Sequence, residues 1–212
     1  MANSIWTAPL EELSAQVARG PVPAAVSVSA VCAVLALDLA TMAIQVSARR
    51  AKTGGGKTEE IVQRLGLVRA RLQRAADEDT SAYNDYLAQR RQAKSKPQAD
   101  VHQTLAATLG RAIEVPLDVA EAATQGLQLC VQAILFAHPV VRADLTAALL
   151  LLDAVAQAAL RSADTNLELL DAPGLIETLH RRRDALAAAA QQARQAAYHA
   201  SFAASRTPPS RP

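Results

Sequence analysis

Residues 58–91 read TEEIVQRLGLVRARLQRAADEDTSAYNDYLAQRR. Ile61, Leu65, Val68 and Leu72 recur at steps of three and four, Ala76, Tyr83 and Leu87 extend the stripe, and the charged residues fall mostly on the other face. This spacing is that of an amphipathic helix. With no proline to interrupt it, the stretch predicts one continuous helix of about 50 Å. A helix that long needs long neighbours to cover its apolar stripe, so the expected fold class is all-α, a bundle of about five to seven helices with long central members.

Immediately upstream, Gly54, Gly55 and Gly56 predict a loop, and before them the basic residues Arg49, Arg50 and Lys52 stand where cations suit a helix C-terminus. The helix they close runs through Ala24–Val46, whose one charged residue is Asp38. Its length would span a bilayer. It is rich in Ala, Ser and Thr rather than Leu, Ile and Phe, however, and inserting a mid-segment Asp costs roughly 2.5–3.5 kcal/mol. The reading is therefore a helix buried on all sides in a bundle or dimer, with no membrane partner. Further upstream, Leu10–Ala18 predicts a short amphipathic helix opened by Pro9 and closed by Gly20-Pro21-Val22-Pro23.

Downstream, Lys94–Asp100 with Pro97 reads as a polar connector, and Val101–Phe136 as a helix that Pro116 should kink or divide. His138-Pro139 opens a helix over Val140–Arg161, whose run Leu149–Leu152 is apolar all round and is expected to be central. A shorter piece carries Asn166 and Leu170. Pro173-Gly174 then breaks the chain before a last Ala-rich helix, Leu175–Ala204, with Arg181, Arg182 and Arg183 near its start. No β-hairpin signal and no repeat of 20 to 50 residues is present. The chain reads as one helical domain over 1–205 and a proline-rich, disordered tail over 206–212.

Composition supports the helical reading. Half of the 212 residues are apolar but only 3% are aromatic, which suits helices packed closely through small side chains. The 22 basic and 20 acidic residues are mixed along the chain, so no single-sign field is offered to a nucleic-acid backbone. Cys32 and Cys130 lie far apart in apolar surroundings without a CxxC pattern, the mark of reduced, buried thiols. Met1–Thr7 lacks the basic start, apolar run and cleavage site of a secretory signal, so a cytoplasmic location is expected.

Lys52-Thr-Gly-Gly-Gly-Lys-Thr58 superficially matches a phosphate-binding loop, but the first glycine of that motif falls on Ala51, and a helix rather than a strand precedes it. His102, His138, His180 and His199 are scattered without metal-ligand spacing, so no metal is expected. The chemically suggestive stretch is Asp77-Glu78-Asp79-Thr80-Ser81-Ala82-Tyr83-Asn84-Asp85-Tyr86. Asp79 and Tyr83, four residues apart, share a helix face. Desolvation and neighbouring charge would raise such a carboxyl toward working pH, as a general acid requires. The plainer alternative, left open by periodicity, is a solvated acidic face turned toward lysines and arginines.

Several segments together resemble the cyclodeaminase domain of formiminotransferase-cyclodeaminase and the methenyltetrahydrofolate cyclohydrolases related to it. Residues 77–83 are similar to the family's Asp-x-Asp-x-x-Ala-Phe, Ala112-Ile-Glu-Val-Pro-Leu-Asp-Val-Ala120 to its Ala-Thr-Glu-Val-Pro-Leu, and Arg142-Ala-Asp-Leu-Thr-Ala-Ala148 to its Ser-Asp-x-x-x-Ala. The resemblance covers nearly the whole chain. It implies a cyclodeaminase-like, homodimeric helical fold that binds a 5,10-methylene- or 5,10-methenyl-tetrahydrofolate in a groove near the subunit interface. Asp79, Tyr83 and Asp144 would be the catalytic residues. Arg49, Arg50 and Lys52 would attract the folate's glutamate tail, and Asn166 would be a further folate-binding residue. The chain departs from the family's pattern where Pro-x-Pro-Gly-Gly-Gly-Ser becomes Pro21-Val-Pro-Ala-Ala-Val-Ser27, where Val141, Arg142 and Ala143 precede Asp144, and where the Gly-Lys-Lys-Lys run becomes Ala48-Arg-Arg-Ala-Lys52.

Three functions stay open at this point. The first is a tetrahydrofolate-dependent cyclodeaminase or cyclohydrolase, with acid–base chemistry at the one-carbon bridge. The second is a repurposed enzyme that moves a methylene unit from methylene-tetrahydrofolate or formaldehyde onto a carbon nucleophile, which requires a second small-molecule substrate. The third is a non-catalytic helical dimer that binds a partner or small molecule.

Overall fold

The computed structural model describes residues 4–51, 56–95 and 99–206. Among them six α-helices account for nearly all of the chain: α1 Leu10–Arg19, α2 Ala25–Ala51, α3 Gly56–Ser95, α4 Ala99–Ile134, α5 Arg142–Leu167 and α6 Pro173–Arg206. Short 3-10 turns occupy Ile5–Thr7 and Pro139–Val141. The all-α bundle with long central helices is what the sequence predicts.

α3 lies antiparallel to α2, tied by Ser27 to Asp79 at one end and by Asp38 to Arg69 in the middle. α5 also runs antiparallel to α2, because the buried Ser47 hydroxyl near the end of α2 accepts the His138 N–H just before α5 begins. α4 packs against α3, α5 and α6. Close approach rests on small side chains: Ala30, Ala33, Ala36, Ala40 and Ala43 of α2 are all fully buried. At Gly126 of α4 an added Cβ would stand 2.8 Å from Leu37 Cδ2, so a larger residue there would have to displace the most central leucine of α2.

Several expectations need correction. Pro116 neither divides nor ends its helix, since α4 is continuous across it. Proline removes the N–H that would have bonded the carbonyl four residues earlier; that carbonyl, on Ala112, instead accepts the Asn166 Nδ2–H at 2.8 Å. Asn166 itself sits inside α5 rather than on a separate piece, and Pro173-Gly174 opens α6 rather than breaking the chain before it. Of the leucine run in α5, Leu149 and Leu152 are buried, but Leu150 and Leu151 are exposed. Within one chain α2 leaves one side open, with Leu35 58% and Met42 38% exposed, so burial on all sides would require a second copy. Cys130 is buried and Cys32 only partly so.

By length and composition, Ala25–Ala51 and Pro139–Leu167 are apolar enough to cross a membrane, with about half of each lying inside the bundle. The expected glycine loop lies outside the described residues except Gly56, which begins α3. The expected tail 206–212 lies outside them as well, except Arg206, the last residue of α6.

Candidate active site

The first turn of α2 follows a chain reversal at Gly20–Pro23 and brings uncapped backbone N–H groups against the side of α3. Asp79 meets them. Its Oδ2 accepts the Ser27 N–H at 3.0 Å and the Ser27 hydroxyl at 2.6 Å. Ser27 has no exposed surface, and its hydroxyl also lies 3.2 Å from the Ala76 carbonyl oxygen. Burial pushes the Asp79 carboxyl above its ordinary value, and the two Ser27 donors oppose that rise. The carboxyl is thus poised toward the protonated form while its charged form retains a defined reception.

Two residues away, Asp77 does a parallel job. Its oxygens accept the Ser4 hydroxyl at 2.8 Å and the Ile5 N–H at 3.0 Å, while the Trp6 indole donates to the Gln73 carbonyl. The acidic stretch is therefore only partly a solvated face: Asp77 and Asp79 each hold the start of another segment, whereas Glu78 and Asp85 are exposed. Tyr83, one turn beyond Asp79, is half-buried against the core, with its ring centroid 6.5 Å from that of the buried Tyr86. Beside this cluster a groove of about 290 Å³ separates α1 from α2, lined by Leu10, Leu13, Val17, Val28, Leu35 and, at its inner end, Ser27.

The other predicted residues lie at the opposite end of α2. Arg49 and Arg50 are exposed, 22 positions beyond Ser27, which on a helix is about 33 Å. Arg49 lines a second groove of about 520 Å³ with Gln45, Thr58, Glu59 and Gln63, between the end of α2 and the start of α3. Lys52 lies outside the described residues. Asp144 stands in the first turn of α5, where the helix dipole favours a carboxylate, and it too belongs to this end because α5 begins beside Ser47. Asn166, at the far end of α5, returns to the Asp79 end. One of its two amide N–H donors is committed to Ala112, leaving the other and its oxygen to offer a ligand.

One chain thus brings together Asp79, Tyr83 and, at the same end, Asn166; it separates them from Arg49, Arg50 and Asp144. Arg182 and Arg183, at the start of α6, are engaged in ion pairs with Asp118, Glu121 and Asp164. The residue that sequence reasoning missed is Ser27. Its one signal was its place at the end of the Pro21-Val-Pro-Ala-Ala-Val-Ser27 segment. Among the described residues no group of three or more His, Cys, Asp or Glu side chains could hold a metal ion.

Comparison with known proteins places this arrangement in a family. The fold matches the crystal structure of formiminotetrahydrofolate cyclodeaminase from Thermotoga maritima with a TM-score of 0.82 at 21% identity, over 94% of this chain and 98% of that one. No curated protein matches the sequence. The sequence model of the formiminotransferase-cyclodeaminase family matches residues 9–185. The span includes α1 to α5 whole and the first turns of α6, and on that match the chain belongs to the formiminotransferase-cyclodeaminase family.

Proposed function

We propose that this protein is a cytoplasmic, tetrahydrofolate-dependent one-carbon enzyme of the cyclodeaminase or cyclohydrolase type, with Asp79 as its general acid and base. The observation that carries the reading is the Asp79 carboxyl, half-buried, raised by burial and bonded through one oxygen to Ser27. In the deaminase direction N10 attacks the formimino carbon, and the formimino nitrogen, receiving the N10 proton and the one from protonated Asp79, leaves as ammonia with the 5,10-methenyl bridge formed. In the hydrolase direction ionised Asp79 takes a proton from the water that adds to the 5,10-methenyl bridge. Both steps need a carboxyl whose proton is shared near working pH. Tyr83 stands one turn away as a second proton-bearing group. Arg49, Arg50 and Lys52 supply the cationic end for the glutamate tail, Asp144 acts at that same end, and Asn166 contributes its free amide oxygen.

The separation of about 33 Å along α2 is too great for one small molecule within one chain, and a second copy resolves it. Val28, Cys32, Leu35, Leu39, Met42 and Val46 follow steps of four and three along α2 and are all at least partly exposed. This stripe is self-complementary: antiparallel against its own copy, Val28 meets Val46, Cys32 meets Met42 and Leu35 meets Leu39, as a two-fold contact requires. That pairing sets the Asp79 end of one copy beside Arg49 and Arg50 of the other, acidic against basic. The half-exposed Asp38–Arg69 pair that flanks the stripe suits the rim of a protein contact better than hydrocarbon.

A second reading is favoured by the apolar groove beside Ser27, which α2 lines with Val28, Val31 and Leu35. An apolar co-substrate in that groove would accept a methylene unit at carbon, with Asp79 moving the proton. Calorimetry with methenyl- and methylene-tetrahydrofolate, followed by absorbance of the methenyl bridge, tests the main reading. Saturable binding with turnover is expected; no heat and no turnover at high protein concentration would overturn it. Methylene-tetrahydrofolate consumption only in the presence of a carbon nucleophile would select the second.

A further inference from the structure

Among the described residues, three side chains outside the charged and aromatic sets are buried and polar: Ser27, Ser47 and Thr124. Ser47, which also accepts the His138 N–H, and Thr124 donate to the carbonyl four residues back in their own helices, at 2.8 Å each. Ser27 does not. Its hydroxyl reaches across to α3, where two acceptors stand within range, Asp79 Oδ2 at 2.6 Å and the Ala76 carbonyl at 3.2 Å.

We propose that Ser27 is the positioning residue of Asp79, a switchable donor that supports the carboxyl in both protonation states; this rests on Asp79 being the acid–base group. When Asp79 is ionised, the Ser27 hydroxyl and N–H both donate to Oδ2. Among the described residues nothing donates to Oδ1, so that oxygen faces the reaction. When Asp79 carries the exchanged proton on Oδ1, Oδ2 becomes the weaker-accepting carbonyl oxygen; the Ser27 N–H stays on it and the Ser27 hydroxyl turns to donate to the Ala76 carbonyl. No buried group loses its partner in either state, which is the condition for cycling a proton without paying a desolvation penalty at each turn. Placement at the first turn of α2 adds a fixed positive field on the ionised form.

The ionisable neighbours do not compete for this role. α2 has no charged residue in its first turn and the 3-10 turn Ile5–Thr7 has none. On α3, Asp77 is taken up by Ser4 and Ile5 and Glu78 is exposed, leaving Tyr83 one turn away. On α4, Asp118 and Glu121 are taken up by Arg182 and Arg71.

The test compares wild type, Ser27→Ala and Ser27→Thr by following the Asp79 carboxyl carbon through a pH titration, assigned with Asp79→Asn and without any folate present. The account predicts that Asp79 titrates at higher pH in Ser27→Ala than in wild type and returns toward wild type in Ser27→Thr. The acidic limb of the turnover profile should move in parallel, with kcat lowered about tenfold and KM little changed. An Asp79 titration unchanged by Ser27→Ala in a folded variant would overturn the proposal. Because the titration needs no substrate, it can succeed where turnover of folate is absent, a result that would reject the folate reading and leave the Ser27–Asp79 coupling standing.

Discussion

At one end of α2, Asp79 sits half-buried with one oxygen filled by two donors of Ser27, while at the other end Arg49 and Arg50 lie exposed and, among the described residues, make no ion pair. Both ends carry residues singled out by their charge, yet their physical states are opposite. The first is preorganised: its geometry is set by α2 and α3 together, and its proton affinity is moved by burial. The second is a solvated field that can attract an anion and fix little about its orientation. On the proposed function the first end carries the chemistry and the second the capture.

The strongest way to break that division is Asp79→Asn. The amide oxygen can still accept from Ser27, so thermal stability should change by less than about 1 kcal/mol, while turnover falls by at least about 100-fold. A variant that turned over normally would make Asp79 a structural cap and favour a non-catalytic dimer. Next in size is Asn166→Ala, which strips the Ala112 carbonyl of its donor beside Pro116. Urea unfolding should show a loss of about 1–3 kcal/mol; no loss would mean that α4 tolerates its proline by some other means.

Replacing Arg49 and Arg50 together by Ala should weaken folate binding by about fivefold and leave kcat and the melting temperature in place. Added salt should shrink the difference between variant and wild type. An effect on kcat instead would draw the basic end into the chemistry.

The smallest effect concerns stability against pH. Because the folded value of Asp79 is raised, the folded state holds its proton more tightly than the unfolded chain. Its contribution is fully present below the unfolded value and is lost as pH rises through the folded one. Wild type measured against Asp79→Asn should therefore lose relative stability upward through that window, and a gain would reverse the sign of the burial argument.

Much of the scaffold was legible because periodicity records burial directly: Ile61, Leu65, Val68 and Leu72 are all buried, as their spacing requires. Of the kink or division expected at Pro116, division is absent, because the cost of the proline depends on a partner 50 residues away, Asn166, that no local window contains. The leucine run in α5 misled because four consecutive apolar residues cannot reveal which sides of a helix have neighbours. At the candidate site the acidic stretch was visible, but not that Asp77 and Asp79 each receive the start of another segment. Ser27 was hidden for the same reason, since its importance lies wholly in a contact across 52 positions of sequence.

The claim on which the account turns is that the two ends of α2 serve a single site through a second copy. Asp79→Asn protein and the Arg49→Ala/Arg50→Ala double variant, each impaired at low folate concentration, can be unfolded together, refolded as an equal mixture and assayed. Random pairing would create hybrids with one intact site each, about one quarter of the wild-type complement, so activity should rise to about three times the mean of the parents. A mixture no more active than the mean of its parents would contradict the shared site.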